Sequence, residues 1–329
     1  MIGIGIIGGG RMAPGHARAV ATQDGRAQVR GFASRAPGRA AALAAEHGGA
    51  AHLDWRDLLA QPDVDAVVIA SPNLEHHEIG LAALQAGKHV LLEKPMAMSL
   101  AECDALIAAA RRHRRKLMVG QTQHFFAVNR AAEQLLRAGT LGRLVTVTDT
   151  WYKPFGLASR RPWFLDRAQG GGMWLMNGTH MIDRMVWLSG SPVVSIKAWI
   201  GNPLLGLQAD DTCVAHLHHA SGLRTTLVHA GYQHGDERWH GEFLCERGLL
   251  RLSTFPPGAG LWVARGTQGF EPVPYEERDS LAAQMEAFVD CVARDLPEPV
   301  APEHARHLVA VLLAGEESSR TGREVAVPA

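Results

Sequence analysis

The sequence predicts an α/β protein in two domains: a doubly wound parallel sheet, then an α+β domain built on an open, mostly antiparallel sheet. Three observations predict it. Up to about residue 120, short β-branched runs alternate with longer Ala-rich amphipathic stretches, the pattern of parallel strands wrapped by helices. From residue 123 onward the strands lengthen, gain Thr, Val, Trp and His, and follow one another across Gly-rich turns, with helices only near the end. The chain has 329 residues, about two domains at roughly 150 residues each. The division is placed at residues 1–122 and 123–329.

In chain order, the first-domain strands are residues 2–7, 29–33, 66–70, 90–92 and 117–119, each nearly continuous in apolar character, as strands covered on both faces must be. Helices are expected at 39–47 and 100–112. The second opens with Ser99 and Glu102, a capping box in which the two side chains satisfy free backbone donors. In the second domain, residues 144–151, 194–200, 212–219 and 223–230 read as strands, the last two joined in a hairpin by Ala220-Ser221-Gly222. Near the end, Leu281, Met285, Phe288, Val289 and Val292 share one helical face, and Leu308, Val309, Leu312 and Leu313 another. Prolines between 297 and 302 mark a short connector.

The 33 Lys+Arg cancel the 33 Asp+Glu and 47% of the residues are apolar, which excludes a disordered chain or one built to coat nucleic acid. No apolar run reaches about 18 residues and no basic segment precedes Met1-Ile2-Gly3-Ile4, so a cytoplasmic protein with no membrane partner is expected. Cys103, Cys213, Cys245 and Cys291 lie far apart and read as small buried apolar residues rather than zinc ligands. The basic run from Arg111 to Lys116 reads as the positive end of a helix.

The first strand runs into Gly8-Gly9-Gly10-Arg11-Met12-Ala13, a GxGxx(G/A) turn opening a helix. Gly8 permits the tight turn, Gly10 leaves room for a pyrophosphate against bare backbone, and Ala13 lets helix and strand approach. The phosphates would then meet free N–H groups at the helix start, including those around Arg11 and Met12. This is the Rossmann arrangement for a dinucleotide. At the tip of the second strand an NAD-selective site places a carboxylate, yet no Asp or Glu occurs between Asp24 and Glu46. Ser34 and Arg35 stand there instead, with Arg39 nearby, a set suited to a 2′-phosphate, so NADP is expected ahead of NAD. The competing reading of Arg35 and Arg39 is a pair of solvated helix-start charges.

Three more segments, Ser71-Pro72-Asn73-Leu74-Glu75-His76, Ala86-Gly87-Lys88-His89-Val90-Leu91-Leu92-Glu93-Lys94-Pro95, and Gly170-Gly171-Gly172 through Gly178-Thr179-His180-Met181-Ile182-Asp183, together resemble the Gfo/Idh/MocA family of oxidoreductases. The resemblance extends to Phe288-Val289-Asp290 and Ser319-Arg320-Thr321-Gly322-Arg323 near the end. It implies that Ser71, Pro72, Asn73 and His76 lie near the nicotinamide ribose. It implies equally that Glu93-Lys94-Pro95 is the family's signature tripeptide, with Lys94 beside the reacting carbon and the Lys94–Pro95 bond cis. His180 corresponds to the histidine facing the substrate hydroxyl. One position departs: sugar-oxidising members carry an Asp four residues before that histidine, and here Met176 stands there, followed by Asn177, which can offer a hydrogen bond but no charge. The segment Gln121-Thr122-Gln123-His124 lacks the Arg found in relatives, leaving His124 as a substrate-side candidate.

Hydride transfer at a carbinol carbon requires a proton to leave or join the oxygen. Arg is permanently charged, whereas a desolvated Lys can be tuned toward neutrality, and the chain uses only five lysines: Lys88, Lys94, Lys116, Lys153 and Lys197. Lys94 falls just past a strand end, where open α/β sheets place their ligands. The expected roles are Lys94 as general acid/base and His180 as its hydrogen-bonding partner on the substrate oxygen. Tyr152, Lys153 and Trp163 are placed on a loop with faces suited to a ring, or alternatively as loop anchors. His216, His218, His219 and His229 invite a metal, but no carboxylate or Cys accompanies them at matching spacing, and no metal is expected. The resulting expectation is an NAD(P)-dependent dehydrogenase or reductase of a cyclic polyol, sugar or dihydrodiol-like substrate, a homodimer or homotetramer through the second sheet. Two alternatives stay open: an enzyme that retains its dinucleotide for sugar chemistry without net redox, and a dinucleotide-binding sensor without catalysis.

Overall fold

The computed structural model describes residues 1–255, 258–267 and 269–329, and its chain divides into two units. The first comprises Met1–Phe125 and Arg278–Arg306, the second Phe126–Glu277 and His307–Ala329. The expected boundary after residue 122 therefore misplaced residues 278–306.

In the first unit the elements run β1 (Ile2–Ile7), α1 (Ala13–Ala21), β2 (Ala27–Ala33), α2 (Arg39–His47), β3 (Ala50–His52), α3 (Trp55–Leu59), β4 (Ala66–Ile69), α4 (His76–Gln85), β5 (His89–Leu92), α5 (Leu100–His113) and β6 (Leu117–Val119). All six strands are parallel, in the order β3-β2-β1-β4-β5-β6. The order reverses between β1 and β4, the switch point at which such sheets bind their ligands. The Ser99/Glu102 capping box forms as expected. β3 was not foreseen, because Ala-Ala-His carries no β-branched residue.

The misplaced segment has a physical explanation. Its long helix buries Met285, Phe288 and Val289 in the same cluster as Ile4 and Ile6 of β1, Ala13 and Ala17 of α1, and Leu91 of β5. The apolar stripe was legible in the sequence; the partner it would choose was not.

The second unit contains α6 (Ala127–Arg137), β7 (Leu144–Pro154), α7 (Thr179–Ser189), β8 (Val193–Gly201), β9 (Thr212–His219), β10 (Arg224–Tyr232), β11 (Arg238–Cys245), β12 (Gly248–Ser253), β13 (Gly260–Ala264) and β14 (Phe270–Pro272). After α8 (Ser280–Ala293), α9 (Pro302–Thr321) enters this unit from His307 on, and β15 (Val325–Ala326) ends it. The nine strands lie in the order β14-β13-β12-β11-β7-β10-β9-β8-β15, antiparallel throughout except for the parallel pair β7 and β10. Alternating burial along β7, β9, β10 and β11 sets one face on the core and leaves the other outward.

All four cysteines are buried and unpaired with one another, and burial pushes the Cys103 thiol up to about 12 and Cys291 to about 11, so they serve as apolar side chains. Among the described residues no helix is long and apolar enough to cross a membrane.

Candidate active site

The glycine turn follows β1. At Gly8, φ is +114° and a Cβ would stand 2.3 Å from the Ala70 carbonyl oxygen, so only glycine fits between the ends of β1 and β4. A Cβ on Gly9 would meet Ser34 Oγ at 2.6 Å. Gly10 is different, because its nearest neighbour would be 3.9 Å away. The protein itself has no need of a glycine there; a ligand against the backbone does. The start of α1 points the same way, since Met12 at its N-cap makes no capping bond and its first turn carries no acidic residue. These features fit a pyrophosphate, and Ala13, fully buried, seats the helix on the sheet.

At the end of β2, the Ser34 hydroxyl accepts from the Ala36 N–H at 3.3 Å. Arg39 Nε donates to the Gly9 carbonyl at 2.9 Å, which makes Arg39 a brace for the turn. Arg35, largely exposed, pairs with Glu75 beyond β4. Burial raises the Glu75 carboxyl while Arg35 pulls it back.

After β4, the Ser71 hydroxyl is buried with no hydrogen-bond partner among the described residues, and Asn73 is 3% exposed. His76 is wholly buried. Its Nδ1 lies 2.8 Å from the Pro95 carbonyl oxygen and its Nε2 3.1 Å from that of Ser71. Burial holds its pKa below the ordinary value against the pull of those carbonyls, so the ring is neutral and lends one N–H to backbone. His76 thus joins the Ser71 segment to Pro95. After β5, Glu93 is buried, and the Lys94–Pro95 bond is cis. Near the end of β6, His124 is buried and meets the His304 ring edge-on at 5.2 Å.

In the second unit a π-helical turn, Trp174–Gly178, leads into α7. Asp210 Oδ2 accepts from the Trp174 N–H at 2.6 Å and ties this turn to the segment before β9, while burial pushes the Asp210 carboxyl up to about 7. Between Gly170 and Val186, Met176 and His180 are the residues that are not buried, four apart on the chain. Asn177 is buried, and its Nδ2 has no hydrogen-bond partner among the described residues.

His180 rests on a row of paired residues across the sheet. His229 on β10 pairs with Trp151 on β7, and Trp151 with Trp239 on β11. The rings stack accordingly, at 4.8 Å for His229 and Trp151 and 4.2 Å for the two tryptophans. Arg184, one turn beyond His180, lies 4.1 Å over Trp239, and His180 lies 6.3 Å from Trp151. Beneath them Arg184 and Asp149 form a fully buried ion pair, with Trp239 Nε1 donating to Asp149 Oδ2 at 3.0 Å.

Two expected placements are corrected. Tyr152 and Lys153 belong to β7, which runs three residues beyond its expected end, rather than to a loop. Tyr152 therefore sits on the outward face, opposite Trp151, whereas Lys153 Nζ lies 4.7 Å over the Trp151 ring and 3.3 Å from Glu237. The hydrogen bonds that carry β7 onward come from its neighbours β10 and β11, which local propensity does not reveal. Trp163 lies in a 3-10 turn, Pro162–Leu165, packed with Met176, Leu205 and Leu207 on the cluster of Phe155, Phe164 and Met173. The strand histidines are separately engaged: His216 with Thr226, His218 with Glu324, His219 with Ser191 and Thr225. Sequence reasoning missed His16, whose ring is 1% exposed, and the Trp151–Trp239 pair; an unexplained histidine on the apolar face of α1 was the available signal.

A parallel sheet reversing at β1 and β4, with a bare glycine turn at that point, defines a dinucleotide-binding protein. Residues 2–121 match the GFO/IDH/MocA model, an oxidoreductase family with an NAD-binding Rossmann fold, and residues 129–251 match the C-terminal domain model of the same family. The chain belongs to the Gfo/Idh/MocA family. It is 32% identical over 297 residues to inositol 2-dehydrogenase 2 of Saccharopolyspora erythraea, covering 87% of this chain and 84% of that one. It is 31% identical over 185 residues to 1-carboxy-3-chloro-3,4-dihydroxycyclohexa-1,5-diene dehydrogenase of Comamonas testosteroni, covering 56% of this chain and 47% of that protein's length. The crystal structure of GenD2 from gentamicin A biosynthesis, in complex with NAD, superimposes with a TM-score of 0.88 at 23% identity, covering 100% of this chain and 97% of the other, a likeness of fold.

Proposed function

We propose that the protein is an NAD(P)-dependent dehydrogenase or reductase acting on a CH–OH or C=O carbon of a cyclic polyol, sugar or dihydrodiol-like substrate. The observation that carries this reading is the Gly10 space at the uncapped start of α1, in the unit that also holds Lys94 just past β5. The nicotinamide, when bound, supplies or takes up the hydride. In the first unit Lys94 carries the proton: its neutral amine accepts it from the hydroxyl during oxidation, and its ammonium returns it during reduction. In the second unit His180 is the group offered to a substrate oxygen, held by the aromatic row beneath it. Met176 has no proton to give, so no carboxylate at that place shares the work. The named activities of the Saccharopolyspora and Comamonas relatives, on inositol and on a dihydroxylated cyclohexadiene, support the cyclic substrate class.

Three finer readings belong to the same proposal. The absence of a carboxylate after β2, with Ser34 and Arg35 in its place, favours NADP over NAD. A second copy of the chain covers the outward sheet face, where Trp199, Leu244 and Tyr152 are exposed. The site of action is the cytoplasm. The deciding experiment incubates the protein with NADP⁺ or NAD⁺ and a panel of inositols, aldoses and cyclic dihydrodiols, following absorbance at 340 nm. Turnover of one panel member is expected; dinucleotide binding with no turnover of any would overturn the enzymatic reading.

A further inference from the structure

α1 buries Ala13, His16, Ala17, Ala19 and Val20. Four of these five are apolar, and the fifth needs a partner, because a buried imidazole without one costs free energy. His16 Nε2 finds it 2.8 Å away in Glu93 Oε1, 77 residues along the chain. Glu93 is buried too, and its other oxygen, Oε2, accepts the backbone N–H of Lys94 at 3.3 Å. A hydrogen-bonded line therefore runs from the helix whose free N-terminus faces the glycine turn, through an imidazole and a carboxylate, to the main chain of Lys94. On the far side of Lys94, the Pro95 carbonyl is held by His76, which also reaches the Ser71 carbonyl. Lys94 is thus bracketed by two buried histidines. Apolar residues at positions 16 and 93 together would fill the same space without desolvating an imidazole or a carboxylate, so packing alone does not explain the pair.

We infer that His16 is a positioning residue: through Glu93 it transmits occupation of the glycine turn to the Lys94 backbone, so that dinucleotide binding orders the residue that handles the proton. The inference rests on the dinucleotide reading above. A ligand on the turn draws in the first N–H groups of α1, and His16, three residues into that helix, moves with them. Its bond to Glu93 then restrains the carboxylate that holds Lys94.

The test uses ADP, which carries the pyrophosphate but no nicotinamide, so a response at Lys94 is transmitted rather than made by contact. Amide hydrogen exchange is followed at Lys94 and along α1, with and without saturating ADP, in the wild type, His16→Leu and His16→Gln. In the wild type, ADP is expected to slow exchange at both places, at Lys94 by about fivefold or more, the lower end of typical coupling between sites. In His16→Leu, α1 stays protected by ADP while the Lys94 response is lost. In His16→Gln, which keeps a side-chain N–H donor, it returns. The inference is overturned if ADP binds the wild type without altering Lys94, or if His16→Leu responds as the wild type does. Should His16→Leu not fold, His16→Ala breaks the same contact while leaving Glu93 Oε2 on the Lys94 N–H, and is judged by the same results. Failure of ADP, NAD⁺ and NADP⁺ alike to bind the wild type by calorimetry would instead sink the dinucleotide reading and this inference together.

Discussion

Lys94 and the glycines of the turn are the positions where single substitutions test the proposal most directly. Replacing Lys94 by Met keeps a long flexible side chain and removes the proposed proton carrier. Dinucleotide affinity should hold while turnover falls by about 100-fold or more, the scale of general acid/base catalysis; steady-state kinetics beside a fluorescence titration of NADPH would show it, and equal turnover would remove Lys94 from the mechanism. Gly8 and Gly10 are expected to separate cleanly. Gly8→Ala meets both a positive φ and the Ala70 carbonyl, so thermal unfolding should shift downward. Gly10→Ala has open space around it and should leave unfolding unchanged while weakening dinucleotide binding. Arg35→Asp should move preference from NADP toward NAD, measured as the ratio of the two dissociation constants, unless the pairing with Glu75 is the guanidinium's whole purpose. Lys94 was legible because strand end and tripeptide are adjacent in sequence. His16 was not, because the carboxylate that explains it lies 77 residues away.

The elements divide in the same way. β1, β6, α2 and β9 fall where their residue patterns put them, since a continuous apolar run or a clean alternation is a local property. β11 to β15 were not foreseen. Their outward positions carry Arg, His and Glu, and β14 and β15 are too short to show a period. β7 and β10 lie parallel inside an otherwise antiparallel sheet, a pairing that no single strand's composition records. The row His229–Trp151–Trp239 exists only because β10 and β11 both pair with β7, and it has a pH signature. Burial pushes His229 down to about 3, below its ordinary value of about 6.5, so the folded ring stays neutral while the unfolded chain takes up a proton. The unfolded state then binds more protons between those two values, and stability present above pH 6.5 drains away as the pH falls toward 3, at up to about 1.4 kcal/mol per pH unit for this one group. His229→Gln, which keeps a donor for the Trp151 carbonyl but does not titrate, should flatten that slope in urea unfolding between pH 4.5 and 7.5; an identical slope would deny the histidine its part.

Across the whole molecule, the first unit is drawn from two separated stretches, Met1–Phe125 and Arg278–Arg306. Met285, Phe288 and Val289 complete the apolar layer over α1 and β1. A fragment ending at residue 125 should consequently show weak tertiary structure and no cooperative melting, whereas the same fragment joined by a flexible linker to residues 278–306 should recover both, as near-UV circular dichroism would report. During synthesis, the glycine turn emerges long before Met285, Phe288 and Val289, and the layer that steadies its helix reaches it only after the intervening strands have left the ribosome. A nascent or prematurely terminated chain is therefore without a finished nucleotide module until residues 278–306 have been made.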